Sequence, residues 1–351
     1  MKILFFIDKL YGGGAERVAT ILMNHLCEHN DVHTVIFNNR KAPYYINDSI
    51  TIHKISISNR LKIFRVFERI RNIKKAIKNT SPDLIISFLT PTNLYVLTAN
   101  AFTRKKIIVS ERNTLNRIQS RIVRIIRRIL YPLADKIVFV TETDNIKFGL
   151  TKKSETIYNP AVFKPFADYN HRQKTIITIA PINRWYNKGL DLLLTAWSKI
   201  SKQNQDWHLE ILGTNDECQI PSEINKIPQE QVVWLGWQKK VPEILQTKSI
   251  FVLASRYEGC PNSLIEAMSQ GCACLGSNGE GGIKEIITDG KSGLLARSGD
   301  ADDFAVKLQL LIGNENLRQR LSAGAVEEVK RFDKELIMKQ WNDLIRLTIA
   351  T

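Results

Sequence analysis

The sequence predicts an α/β protein built from two doubly wound domains, and three observations carry that expectation. Apolar, strand-like runs alternate with helical stretches along nearly the whole chain. The alternation lapses once, near 160–174, and then begins afresh. Loops rich in glycine or carrying cations leave the ends of several of the strand-like runs. At 351 residues the chain is long enough for two domains of roughly 150–200 residues, each with its own core.

Taken in order, the first half offers strand-like runs at 3–7, 32–37, 51–57, 84–88, 107–110 and 136–140. Helical stretches separate them, which argues for a parallel sheet covered on both faces. The second half repeats the scheme at 175–180, 208–213, 232–236, 249–253 and 272–276. The join, NPAVFKPFADYNHRQK, carries two prolines and little periodicity. After the second sheet, 300–349 reads as three helices. The expected domains are therefore 1–165 and 166–332, with 333–351 a last helix returning to the first domain. A ligand site in the cleft between them is the default expectation.

Composition narrows the function classes. Hydrophobic residues make up 44% of the chain, as in an ordinary globular protein. The five cysteines (27, 218, 260, 272 and 274) show no disulfide framework and no zinc-site spacing. MKILFFID has too short an apolar run for a secretory leader, and no run approaches 18 apolar residues. A reducing, cytoplasmic location is expected. Net charge is +15 and uneven: residues 1–165 carry 28 Lys and Arg against 12 Asp and Glu, whereas 166–351 carry 22 against 23. The two halves are expected to meet different partners.

Four loops at strand ends carry candidate chemistry. YGGGAERV (11–18) opens a helix after the first strand, where glycines let backbone N–H groups approach an anion. It lacks the spacing of the dinucleotide fingerprint, and Phe37-Asn38-Asn39 supplies no ribose-binding acid, which disfavours a dehydrogenase. APINRWYNKGLDLLL (180–194) puts Arg184 and Lys188 on a loop where two cations can neutralise a diphosphate. SRYEGCPNSLIEAM (255–268) puts Glu258 on a loop leaving a strand and Glu266 about one and a half turns into the next helix, with the N–H groups of Gly259 to Asn262 between them. SNGEGGIKEII (277–287) adds Gly279, Gly281 and Gly282 at another helix start.

The stretch EGCPNSLIEAMSQGC…GGIKEIITDGKSGLL (258–295) resembles the signature of the retaining family 4 glycosyltransferases, whose GT-B fold pairs two Rossmann-like domains around the active-site cleft. GGGAERV, VSERN (109–113), IYNPA (157–161), NRWYNKG (183–189) and VVWLGW (232–237) resemble further landmarks in the same order. The set is similar to bacterial members that build surface polysaccharides or lipid-linked oligosaccharides. The resemblance implies that Glu266 accepts hydrogen bonds from the nucleotide's ribose, and that Glu258 lies by the donor sugar with the amides after it. It implies that Arg184 and Lys188 hold the leaving diphosphate. The implied donor site further takes in Gly13, Gly14, Gly213, Trp237, Gly259, Cys260, Pro261, Asn262, Ser263 and Leu264. Many relatives carry a histidine near the donor sugar, at the end of the strand that here reads IIVSERN; this chain has Ser110, Glu111, Arg112 and Asn113, with Glu111 or Arg112 expected to face the cleft and to be candidate catalytic groups. The Arg184–Lys188 loop is also shorter than in many relatives. No metal is expected, since the cations make one unnecessary, and no cofactor beyond a nucleotide-sugar co-substrate is implied.

The basic half has two helical stretches of its own. LKIFRVFERIRNIKKAIK (61–78) sets Ile63, Phe67, Ile70, Ile73 and Ile77 along one side and Lys62, Arg65, Arg69, Arg71, Lys74, Lys75 and Lys78 elsewhere. RIQSRIVRIIRRILY (117–131) repeats the arrangement with Arg117, Arg121, Arg124, Arg127 and Arg128. These are either solvated faces or a docking surface for an anionic membrane. Nucleic acid is not expected, since no recognised binding fold or aromatic platform accompanies the charge.

The expected protein is thus a retaining, metal-independent transferase acting at the cytoplasmic membrane face. It would move a hexose or N-acetylhexosamine from a UDP donor to a lipid-linked or growing glycan. The alternatives are a UDP-sugar epimerase or phosphorylase on the same fold, and an inactive nucleotide-sugar-binding membrane scaffold.

Overall fold

The computed structural model describes residues 1–38, 44–58, 61–115, 120–169, 172–213 and 220–351. Asn39, Arg117, Cys218, the Lys62 side chain and residues 170–171 of the join lie outside the described residues. Two compact units are present: Met1–Pro160 with Glu335–Thr351, and Ala161–Lys334.

The first unit runs β1 (Lys2–Ile7), α1 (Gly14–Leu26), β2 (Asp31–Ile36), β3 (Thr51–Lys54), α2 (Lys62–Thr80), β4 (Leu84–Phe88), α3 (Thr90–Asn100), β5 (Lys106–Ser110), α4 (Arg121–Leu130), β6 (Lys136–Phe139), α5 (Glu142–Phe148) and β7 (Ser154–Thr156). Its seven strands are all parallel, in the order β3-β2-β1-β4-β5-β6-β7. LIISF of β4 is buried at every position, as a central parallel strand covered on both faces requires.

The second unit runs β8 (Gln173–Ile179), α6 (Leu190–Ile200), β9 (His208–Leu212), α7 (Ser222–Asn225), β10 (Val232–Gly236), α8 (Val241–Thr247), β11 (Lys248–Leu253), α9 (Asn262–Ser269), β12 (Ala273–Ser277), α10 (Ile283–Ile286), β13 (Leu294–Ala296), α11 (Ala301–Gly313) and α12 (Glu315–Val329). Six parallel strands take the order β10-β9-β8-β11-β12-β13. The final helix α13 (Lys334–Ala350) buries Ile337, Met338, Trp341, Leu344 and Ile345 in the core that β1 and α1 also build. Trp341 stacks on Phe88 at the end of β4, with ring centroids 6.3 Å apart.

Each sheet reverses its strand order once, between β1 and β4 and between β8 and β11. At such a point the loops leaving neighbouring strands turn to opposite faces of the sheet and open a crevice at its carboxyl edge.

The structure departs from the sequence expectations in three places. TIHKISI ends as a strand at Lys54. The strands β7 and β13 have three residues each, too few to show a period in the sequence. The apolar sides of the two basic helices are not uniformly packed inward. In α2, Ile73 and Ile77 are buried, but Ile63 and Phe67 are exposed. In α4 the arrangement inverts, with the isoleucines exposed and Arg127 buried.

Candidate active site

The crevice of the second unit lies between the loops that follow β8 and β11. After β8 the chain makes one turn, Ile182–Arg184. The Lys188 N–H then donates to the Arg184 carbonyl at 2.9 Å, which sets the two cations one turn apart. Gly189 closes this loop at φ +64°, and a Cβ there would collide with the Ala254 carbonyl oxygen at the end of β11. Only glycine lets the two loops approach so closely.

From the other side, Glu258 reaches across. Lys188 Nζ donates to Glu258 Oε1 at 2.5 Å, and Ser255 Oγ donates to the same oxygen at 3.0 Å. The loop after β12 is fastened here too: Gly282 N–H donates to the Glu258 carbonyl at 3.1 Å, and Gly281 bridges Glu258 at φ +122°. Past Glu258, Gly259, Cys260, Pro261 and Leu264 are buried, and Asn262 and Ser263 are half-buried at the start of α9. Glu266 is buried one turn further along that helix. Gly213 ends β9 and lies against Pro181, and its N–H donates to the Gly236 carbonyl at 2.9 Å. Trp237 follows β10 and is exposed. Arg184 is exposed as well. Lys188 and Glu258 are thus in contact, and all these residues sit at carboxyl ends of strands in one sheet or on the helix that follows.

Three residues the sequence reading passed over complete the arrangement. Arg256 forms a bidentate pair with Asp191 (2.8 and 2.7 Å), donates to the Tyr186 carbonyl at 2.6 Å, and lies 4.1 Å from the Tyr186 ring centroid. Its own N–H donates to the Asn187 carbonyl at 2.9 Å. Bonding to Asp191 pushes the guanidinium pKa up. Arg256 therefore stitches the loop bearing Glu258 to the loop bearing Arg184 and Lys188. Ser255 orients the Glu258 carboxylate. A separation of 65 positions between Asp191 and Arg256 leaves no spacing signal to find the pair by. Cys272, just before β12, and Cys274 within it are buried, and burial pushes the Cys272 thiol up to about 11.

In the first unit, Gly13 and Gly14 lie where α1 begins, and the buried Glu16 side chain folds against Gly13. A carboxylate of the chain itself therefore lies beside the glycine loop. Glu111 and Arg112 do not face outward as expected, because both are buried inside the unit. Glu111 accepts hydrogen bonds from Thr90 and from Tyr131 (2.8 Å) and pairs with Arg127 at 3.9 Å. Burial pushes its carboxyl pKa up, against those partners. Arg112 donates to the Ile157 carbonyl at 3.2 Å and lies over Phe88 and Trp341, at 5.3 and 5.7 Å from the ring centroids. Glu111 is fully buried and Arg112 nearly so, and each is held by partners of its own unit.

This assignment is testable through stability. Glu111→Ala leaves the Arg127 guanidinium buried without its carboxylate and should cost about 3–5 kcal/mol in urea unfolding. The double variant Glu111→Ala/Arg127→Met should recover much of that loss. A double variant as unstable as the single one would show that the two groups do not act as a pair.

The comparisons with known proteins agree with this architecture. The model described as Glycosyltransferase Family 4 matches residues 12–161, and that described as Glycosyl transferases group 1 matches 163–328. A Campylobacter jejuni GalNAc-alpha-(1->4)-GalNAc-alpha-(1->3)-diNAcBac-PP-undecaprenol alpha-1,4-N-acetyl-D-galactosaminyltransferase is 26% identical over 98% of each chain. The amylovoran biosynthesis glycosyltransferase AmsD of Erwinia amylovora is 28% identical over 98% of this chain and 99% of its own. Among solved structures, Anabaena HepE in complex with UDP superposes with a TM-score of 0.78 at 16% identity, over 99% of this chain and 100% of that one. Because the two family models meet end to end across both sheets, and the bacterial relatives align over nearly their full length, this chain belongs to the family 4 glycosyltransferases and has their GT-B fold.

Proposed function

We propose that this glycosyltransferase moves a hexose or N-acetylhexosamine from a UDP donor to a lipid-linked or growing glycan, with retention at the anomeric carbon and without a divalent metal. The observation that carries the reading is the Lys188–Glu258 contact beside Arg184, at the point where strand order reverses. Solved relatives of the fold bound to UDP and to UDP-glucose support the donor class. The diphospho-undecaprenol substrate named for the Campylobacter relative supports the acceptor class.

Lys188 and Glu258 neutralise one another. A donor diphosphate competes for Lys188 and is met also by Arg184. Glu258 is then free to accept from hydroxyls of the donor sugar, and Glu266 from the ribose. As the anomeric C–O bond breaks, negative charge grows on the diphosphate, and cations already in place stabilise it most at that moment. The acceptor oxygen forms the new bond on the same face, and its proton passes to the leaving phosphate oxygen. With two cations carrying the charge, a metal ion has no required part. Attachment to the cytoplasmic membrane face through the basic half suits a lipid-borne acceptor.

The two carboxylates should separate by assay. Glu266→Ala should weaken UDP binding in calorimetry, whereas Glu258→Ala should mainly lower turnover; equal loss of UDP affinity in both would refute the division. Arg184→Ala should cut turnover by about 10²–10³-fold and weaken UDP more than uridine. Arg256→Gln, which unfastens the cation-bearing loop, should lower UDP affinity by about tenfold or more through loss of its charge-assisted bonds. Uridine and UDP weakened alike in Arg184→Ala would remove the phosphate assignment. Chelator should leave transfer intact, and rescue of a chelated enzyme by Mg²⁺ or Mn²⁺ would overturn the metal-free mechanism.

A further inference from the structure

On the face of the first sheet that α2 covers, a carboxylate and two histidines form a chain. The register sets His33 of β2 beside Thr51 of β3, and Val35 beside His53, so both imidazoles leave neighbouring strands on one face. Val35, on that same face, belongs to one apolar cluster with Ile73 and Ile77 of α2. His33 Nδ1 shares a hydrogen bond with His53 Nε2 at 3.0 Å, and His33 Nε2 lies 3.0 Å from Asp31 Oδ1. A carboxylate oxygen only accepts, so His33 turns its N–H toward Asp31 and its lone pair toward His53. His53 supplies the Nε2 proton of the shared bond. Neutral His53 therefore keeps a bare lone pair on Nδ1, and only there can it gain a proton.

Both histidines line a groove of about 440 Å³ between the sheet edge and α2. Lys2 of β1, Lys54 of β3 and Lys75 of α2 bring it three ammonium groups, and no acidic side chain lines it. Asp31 is engaged by His33 and by Lys2, whose Nζ is 3.5 Å away, while Asp83 accepts from the Lys2 backbone N–H at 2.7 Å. Surface lysines alone are ordinarily solvated and signal nothing. A half-buried imidazole whose next proton adds a fourth positive charge to the same groove is different, because an anion there offsets that charge. Burial, and then the neighbouring His33, hold the His53 pKa below the ordinary histidine value. His53 is thus neutral at neutral pH and becomes a cation when a partner favours it.

We propose that this groove binds the dianionic phosphate of a small phosphate ester, and that binding draws a proton from solvent onto His53 Nδ1. Lys54, Lys75 and the new N–H take the phosphate oxygens. The groove is larger than a bare oxyanion needs, and Asn72 and Asn79, one side of α2 with Lys75, suit hydroxyls on the body of the ester. Lys2 and His33 lie in the amino-terminal halves of their strands, whereas the glycine loop follows the carboxyl end of β1. Lys188 and Glu258 belong to the other unit. The inference is therefore independent of the donor and acceptor readings. Its pH dependence has a fixed sign: affinity rises as pH falls from the His53 midpoint with anion bound to the lower midpoint without it, and is level on either side.

The test follows the six imidazoles of the full chain by nuclear magnetic resonance with isotope-labelled histidine. Sulfate is the probe, since it remains a dianion where phosphate titrates, and ionic strength is held with chloride. Before sulfate is added at about pH 8, His33 and His53 should both show the Nε2–H tautomer. Sulfate should shift the His53 resonances saturably and bind at least about tenfold tighter at about pH 5.5 than at about pH 8, the linkage of a one-unit rise in midpoint. Lys54→Gln/Lys75→Gln, at two exposed positions, should weaken it at both pH values, and His53→Gln should remove the pH dependence. Melting temperature checks that each variant is folded, and the lysine variant carries the test if His53→Gln is not. Glucose 6-phosphate should displace sulfate. The opposite tautomer at His53, no saturable shift there, equal affinity at the two pH values, or unchanged binding in the lysine variant each overturns the proposal. So does a shift common to all six imidazoles, which would be screening alone, or failure of glucose 6-phosphate to compete.

Discussion

The second unit depends on the reversal of strand order between β8 and β11, where two neighbouring parallel strands send their chains to opposite faces of one sheet. Backbone leaving such strands must find new hydrogen-bond partners at the edge, and here the partners come from the facing loop. The N–H of Arg256 on one loop donates to the carbonyl of Asn187 on the other. Gly189 makes that approach sterically feasible, and the Arg256–Asp191 fork locks it. A frame assembled this way is fastened from both loops, while Arg184 and Trp237 remain exposed.

Lys188 and Glu258 are a pair suited to exchange. Each is about five-sixths shielded, with 17% of its side chain exposed. Either group alone at that depth would be costly to keep charged, and the contact offsets the cost. On the proposed reading, a donor diphosphate and its sugar take over the two halves of the pair with partners of matching chemistry. Ligand binding then trades one set of charge-assisted bonds for another and leaves no charge stranded. Ser255 donates to the same carboxylate oxygen and orients Glu258.

The first unit is organised around a different kind of polar group. Glu111, Tyr131, Thr90 and Arg127 form a network under α4, and Asn93 joins it by donating to the Tyr131 hydroxyl at 3.1 Å. Burying a carboxylate and a guanidinium is expensive unless their bonds are satisfied. The network's return is specificity of orientation, since it dictates which side of a ten-residue helix faces the sheet. The same interaction that removes Glu111 from contact with solvent thereby fixes which side chains α4 presents.

The sequence by itself determined the architecture, because period and composition are local properties. Runs such as LIISF and SIFVL can satisfy their backbone and their apolar side chains only as buried parallel strands, and the lapse near 160–174 separates two such sets. The strand-end loops bearing Arg184, Lys188, Glu258 and Glu266 were legible for the same reason, since each follows such a run. What no local pattern contained was pairing across distance. Lys188 and Glu258 are 70 residues apart, and Arg256 finds Asp191 across 65. Likewise VSERN and RIQSRIVRIIRRILY read separately as a loop with candidate catalytic groups and a helix whose arginines form either a solvated face or a docking surface. Only in the folded unit does Glu111 meet Arg127, at 3.9 Å, with the arginine turned inward and the isoleucines of the same helix left exposed.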